Sequence, residues 1–381
     1  MTKKRRKKVG LFTFSWIDNP GSVLQAYALK TVLEEKGLSV SVLNYQNTLW
    51  ADFRLIRGID TFPRKIWTWR KKKIYKWRKL ERKHKEKMGL YENFQKEYLK
   101  IDSPAVKPDD LSRRAAKLDA LIVGSDQIWN YDLPLVDSCY FAGFPKAPAK
   151  RYSYAASFGK VDFDEERVSE ASELLKQFSR ISVREKSGQA LAERLSGKNV
   201  SVHLDPTLLL TADVWEKLET EPPLRNYVFV YLREKSDVIS EYAQKIASER
   251  GLQVVSIIRG KMTSPEEKEA LGPQEWLGYI HHADIVLTNS FHGICFSLIF
   301  EKEFKVFALE KSEWRKRSNT RLESIIELLD LQNAVQPESD DGSGQTALPE
   351  IQYEKVNSIL EKERKLAFEY IQEIAEDIYG K

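Results

Sequence analysis

The chain has 381 residues, room for two domains of ordinary size. Its 42% hydrophobic and 11% aromatic content excludes a disordered chain, and two cysteines, Cys139 and Cys295, exclude a disulfide framework or a zinc knuckle. The net charge of +5 is small but unevenly spread, and no segment has the ~20 apolar residues of a membrane span, so a cytoplasmic protein, free or peripheral on the inner face of the membrane, is expected.

The opening MTKKRRKKVGLFTFSW is basic and then apolar, as a signal peptide is. The apolar part is short, Thr13 and Ser15 break it, and no small-residue cleavage site follows, so it reads as a basic tail and a first strand. DNPGS then leads into a helix from Pro20 to Glu35 that Gly37 stops, and LSVSVLNY forms the next strand, completing a βαβ unit. Residues 50–112 interrupt the pattern. From Arg64 to Lys87 they carry thirteen Lys or Arg with Trp67, Trp69 and Trp77 interleaved. That stretch fits either a solvated helix face or peripheral contact with an anionic membrane, and no nucleic-acid motif accompanies it.

LDALIVG, KRYSYAAS, RISVRE and VSVHLDP resume the strands, with helices such as Phe163–Gln177 and Ser187–Leu195 between them. WEKLETEPPLRN (215–226) is polar and holds Pro222 and Pro223, which marks a boundary. A second series follows: YVFVYL, a helix from Ser236 to Arg250, LQVVSII, the helix GPQEWLGYIHHAD, IVLTNS, the helix GICFSLIFEK, KVFALE and the helix SNTRLESIIELLDL. PESDDGSGQTALPE (337–350) reads as a loop and Ile351–Tyr379 as a closing helix. The expected class is α/β: two Rossmann-like domains facing across a cleft, 1–214 with the insertion at 50–112 and 215–350 carrying the donor site. The last helix, 351–381, crosses back to the first domain.

Such sheets bind ligands outside the carboxyl ends of their strands, so residues there are the candidates. In the first half these are Gly21 and Ser22 after the first strand, Ser125, Asp126 and Gln127 in GSDQIWN, Ser157 in SYAASFG, and Arg184 in RISVREKSG. HLDPT offers Asp205, which reads chiefly as a turn residue before Pro206. In the second half YLRE holds Tyr231 and Arg233, TNSFHG holds Asn289, Ser290, His292 and Gly293, and SNTRLES holds Arg321. TNSFHG opens a helix, whose free N–H groups attract an anion. Gly293 lets a ligand approach the backbone, and His292 in the first turn is within reach as a general acid. Arg184 and Arg321 can each grip a carboxylate or phosphate with two prongs. The duller readings are capping or packing for His292, pairing with Glu185 for Arg184, loop stabilisation for Asp126 and Gln127, packing for Trp129, and surface or core positions for His281 and His282. No HExxH, DxD or clustered-ligand spacing argues for a metal.

GSVLQAYAL, GSDQIWN, YAASFG, SVREKSG, DPTLLL, EWLGYIHHADIVLTNSFHG and NTRLESIIELL, in that order, resemble the polysaccharide pyruvyltransferase family across roughly residues 9–330. The resemblance implies a glycosyltransferase-B-like fold and a metal-independent transferase needing no cofactor. It moves pyruvate from phosphoenolpyruvate onto a saccharide acceptor, a cell-surface polysaccharide or its lipid-linked precursor, as a ketal with release of phosphate. His292 matches the histidine of the family's Arg-Leu-His segment, Arg184 the arginine of its Arg-Asp/Glu-x-x-Ser segment, and Arg321 its basic residue at the following helix start. Ser290 and Phe291 stand where the family has arginine and leucine, which removes a cation from the donor site. That departure leaves two alternatives open: a glycosyltransferase using a nucleotide-sugar on the same fold, and a catalytically inactive glycan-binding protein.

Overall fold

The structure, a computed structural model, describes residues 5–46, 86–101, 107–133, 135–159, 165–233, 236–258, 261–263, 271–308, 313–337 and 348–380. The tryptophan-bearing basic stretch up to residue 85, and with it the choice between a solvated face and membrane contact, lies outside them, as does most of the loop at 337–350.

In the first half β1 (Lys8–Phe12), α1 (Pro20–Glu35) and β2 (Ser39–Val42) form the expected βαβ unit. Helix α2 (86–94) follows, running into a π turn at Gln95–Leu99, and then α3 (Pro108–Ala115). Strands β3 (Ala120–Val123) and β4 (Arg151–Ser153) complete a parallel sheet of order β2-β1-β3-β4. After α4 (Glu165–Leu175), β5 (Ile181–Val183), α5 (Lys186–Ser196) and β6 (Val200–Val202) extend it, since single bridges Tyr152–Arg180 and Ala156–Val183 tie β5 to the chain of β4.

Helix α6 (Ala212–Glu216) leads into the second half. There β7 (Tyr227–Leu232), α7 (Asp237–Arg250), β8 (Gln253–Ile258), β9 (Lys261–Thr263), α8 (Pro273–His281), β10 (Ile285–Thr288), α9 (Phe291–Ile299), β11 (Glu303–Ala308), α10 (Glu313–Leu329) and β12 (Val335–Pro337) build a sheet of order β12-β11-β10-β7-β8-β9. Only its edge strand β9 is antiparallel among the described strands. The runs ALIV, YVFVYL and IVLT are buried at every position, because a parallel sheet covered on both faces leaves no side chain in water. β9 and β12 escape the sequence reading because three residues each, one containing Lys261 and the other Pro337, show no strand period.

The order reverses between β1 and β3 in one sheet and between β7 and β10 in the other. These are the switch points where α/β sheets open a crevice. The two halves meet through a shared apolar core rather than a loose hinge. Trp215, inside the polar boundary segment, is fully buried, with its ring 5.8 Å from Tyr27 of α1 and 5.0 Å from Phe296 of α9. The end of the insertion joins the same core, with Tyr91, Phe94 and Leu99 buried and Phe94 6.2 Å from Tyr27, while Lys87 pairs with Asp18 at 3.3 Å. The described residues 86–101 of the insertion are therefore structural. The solvated or membrane-facing reading does not extend to Lys87.

Helix α11 (Tyr353–Tyr379) crosses back as expected. The Tyr353 hydroxyl donates to the Ser297 carbonyl in the second half, and the Tyr370 and Tyr379 hydroxyls donate to the Ser153 and Gly37 carbonyls in the first, both at 2.9 Å. Gly37 has φ +82, the left-handed conformation that lets it end α1. Both cysteines are buried free thiols. Among the described residues no helix is long and apolar enough to cross a membrane.

Candidate active site

The two switch points face each other, and the start of α1 closes on the start of α9. Asn19 caps α1, its side chain accepting from the Ser22 amide at 3.3 Å, and Pro20 suits the first helical turn. A Cβ on Gly21 would lie 2.1 Å from Nδ1 of His292, so the glycine is what admits the imidazole. Ser22 donates its hydroxyl to Asp126 Oδ2 at 2.7 Å.

Asp126 has φ +71, a conformation that Asp tolerates better than most residues, and its other oxygen accepts from the Gln127 amide at 2.8 Å. Burial alone would push this carboxyl up; His292, Arg184 and the hydrogen bonds from Ser22 and Gln127 outweigh it and hold it low.

His292 is 8% exposed, and its Nε2 lies 3.6 Å from Asp205 Oδ2, ion-pair range but beyond a hydrogen bond. Asp205 is the hub. One oxygen caps the turn Pro206–Leu209 by accepting from the Thr207 amide and hydroxyl at 3.0 and 2.8 Å. The other accepts from Arg184 Nη1 at 2.8 Å and the Ser125 hydroxyl at 3.0 Å. Burial opposes its charge, but His292, Arg184 and these hydrogen bonds win and hold the carboxyl far below the usual range.

Arg184 leaves β5 and is buried. It stacks on the Phe291 ring at 4.2 Å; its Nε is 3.7 Å from Glu185 Oε2, and neither Nε nor Nη2 has a hydrogen-bond partner. Glu185 is itself held by the Ser157 hydroxyl at 2.6 Å. Arg321 lies well inside α10, which starts five residues earlier than its sequence signal, so it is not at a helix start. It is buried, its Nε has no partner, and burial followed by repulsion from Arg233 and Arg184 pushes its guanidinium down to about 9. Arg233 and Arg184 thus both repel Arg321, while of the nearby acids Asp205 pairs with Arg184, Asp126 accepts from Ser22 and Gln127, and Glu185 keeps one oxygen without a hydrogen bond.

The remaining candidates sort by their contacts. Asn289 Oδ1 accepts the Arg233 amide at 2.8 Å and its Nδ2 is buried without a partner. Ser290 precedes α9 without capping it. Packing alone already demands glycine at 293, since a Cβ there would sit 2.3 Å from Thr288 Oγ1. Tyr231 is buried, edge-on to Trp276 at 5.1 Å. Gln127 holds Asn130 at 2.9 Å and shapes the loop, and Trp129 is fully buried packing.

Asp205, which reads from sequence chiefly as a turn residue, is both turn and hub, and Arg233, one residue past β7, is the first charge that repels Arg321. Among the described residues, Glu219, His281 and His282 have metal-ligand spacing. Both Glu219 oxygens already meet imidazole nitrogens, at 2.8 and 2.9 Å, and the group sits at the amino end of β10, away from His292.

Gly21→Ala tests the closure of α1 on α9. It should displace the imidazole and lower activity by at least roughly tenfold, from misplacement of the acid alone. Comparing kcat with the melting temperature checks this, and wild-type kcat would show that the imidazole is free to move.

The fold and the cleft define a two-domain α/β protein of glycosyltransferase-B-like architecture, with an imidazole and a cluster of guanidiniums at its switch points. The family model for polysaccharide pyruvyl transferase matches residues 19–310, and the chain belongs to that family. No curated protein sequence matches it. Similar solved structures include the UDP-GlcNAc 2-epimerase of Methanocaldococcus jannaschii, at 10% identity over 94% of this chain and 92% of that one with a TM-score of 0.47. The UDP-GlcNAc 2-epimerase of Neisseria meningitidis bound to UDP-GlcNAc is 12% identical over 96% and 99% of the two chains, TM-score 0.44.

Proposed function

We propose that the protein transfers pyruvate from phosphoenolpyruvate onto two hydroxyls of a sugar in a cell-surface polysaccharide or its lipid-linked precursor. The observation that carries this reading is the set of buried guanidinium nitrogens without partners, Nε and Nη2 of Arg184 and Nε of Arg321, beside His292. Buried cations that repel one another are stabilised by an anion carrying more than one charge. Phosphoenolpyruvate offers a carboxylate and a phosphate three atoms apart.

The reaction begins with a proton delivered to the methylene carbon, which His292 supplies. The neighbouring carbon becomes oxocarbenium-like and is attacked by one sugar hydroxyl. A second hydroxyl displaces phosphate to close the ketal. Of the two hydroxyl protons, one restores the acid and the other leaves with phosphate. Asp205 lies at ion-pair distance from the imidazole and keeps Arg184 in place, and Arg184 and Arg321 neutralise the donor.

Incubating the purified chain with phosphoenolpyruvate and candidate saccharides, and following phosphate release together with a pyruvyl mass increment on the acceptor, tests the reading. Turnover of a nucleotide-sugar in place of phosphoenolpyruvate would replace it.

A further inference from the structure

The donor site has a third cation. The parallel register that sets Tyr231 beside Thr288, carried two residues beyond that pair, brings Arg233 level with Ser290 at the start of α9. The Asn289 side chain fastens this position by accepting the Arg233 amide at 2.8 Å. The Arg233 side chain makes no hydrogen bond or ion pair with any described residue and is exposed, while Arg184 and Arg321 are each 6% exposed.

Around it several donors lack partners. Asn289 Nδ2 is one, in a residue 2% exposed. The first-turn amides of α9 are not capped by the Ser290 side chain. Arg184 lies over the ring of Phe291, the first residue of that helix, at 4.2 Å, with two nitrogens unused. Glu185 Oε2, 3.7 Å from Arg184 Nε, also lacks a hydrogen bond, but the donors outnumber it, and donors arranged around a helix start complement a group made only of negatively charged oxygens.

We propose that Arg233, Asn289 and the uncapped start of α9 form the pocket for the phosphate group of the donor, with Arg184 and Arg321 holding its carboxylate deeper in the cleft. This assignment rests on the pyruvyl-transfer reading for the identity of the donor. Its direction follows from exposure. Phosphate is the group that leaves, and Arg233 is the cation at the solvent side. The carbon to be protonated then lies inward, beside the 8%-exposed His292.

Calorimetric titration of the full chain with inorganic phosphate, phosphoenolpyruvate and pyruvate tests the pocket. Arg233→Ala should weaken phosphate and phosphoenolpyruvate by roughly 10- to 100-fold and leave pyruvate unchanged, and Arg233→Lys should recover part of the loss. Because the side chain pairs with no described residue and repels Arg321, neither variant should melt below the wild-type temperature. Unchanged phosphate affinity in Arg233→Ala, or equal losses for phosphate and pyruvate, overturns the pocket. If that variant loses phosphate binding but the wild-type chain transfers no pyruvate from phosphoenolpyruvate, the pocket stands and the donor reading falls. If the wild-type chain turns over phosphoenolpyruvate and Arg233→Ala does so with the same KM, the donor reading stands and the pocket falls.

Discussion

His292→Ala is expected to lower pyruvyl transfer from phosphoenolpyruvate by ~10²- to 10⁴-fold, the range for loss of a positioned proton donor, while leaving the fold intact. The structure supports both halves of that expectation. The imidazole sits in the first turn of α9 with its Nε2 lacking any hydrogen bond, so truncation breaks no buried network of its own. Its remaining contacts are the ion-pair distance to Asp205 and the bare backbone of Gly21. His292→Gln keeps most of the volume and removes the acid, so it should be equally inactive. The measurement is steady-state phosphate release beside thermal melts. Binding of phosphoenolpyruvate should survive in both variants, because the guanidiniums are untouched, and the loss should appear in kcat more than in KM. A variant with wild-type kcat would take the imidazole out of the reaction, and one with intact kcat but raised KM would make it a donor ligand only.

How much of this was legible in the sequence depends on whether a residue's role is local. The strands YVFVYL and IVLT announce themselves through continuous apolar runs, and DNPGS followed by GSVLQAYAL announces a capped helix, so the α/β order and both switch points could be read directly. Gly21, Arg184 and His292 were found because each stands just past a strand. What Gly21 touches was not legible, since the imidazole it admits lies in the other half of the molecule.

Asp205 hid behind Pro206. A capping carboxylate and a hub look alike until β6 is brought against α9, 87 residues further on. Arg233 hid because its neighbours, Asn289 before α9 and Arg321 on α10, lie on other elements. Trp215, Tyr91 and Phe94 are apolar residues in charge-rich surroundings, so composition concealed the face that knits the two halves together. In each case the missing information was the tertiary meeting of segments far apart in the chain, which no local period or motif encodes.

Asp205→Ala carries the largest expected cost in stability. The carboxylate is 1% exposed and is the hydrogen-bonded counter-ion of Arg184, itself 6% exposed. Removing one partner of a buried pair leaves the other charge uncompensated, and such changes cost about 3–5 kcal/mol. Glu185, 3.7 Å from Arg184 Nε, offsets part of that, and the lost bonds to Thr207 and Ser125 add to it. Asp205→Asn should cost less, because an amide oxygen can still accept from Thr207. The pH dependence has a definite sign. The folded pKa of Asp205 is depressed, so the unfolded chain binds the proton first as pH falls. The carboxylate's stabilisation is therefore complete above the unfolded value near 3.8 and shrinks below it. Denaturant unfolding of wild type and Asp205→Asn should show a constant gap through the neutral and mildly acid range that closes only below that value. A gap already closing near neutrality, or none at all, would mean that Arg184 finds its counter-charge elsewhere and that Asp205 is the turn residue it first resembles.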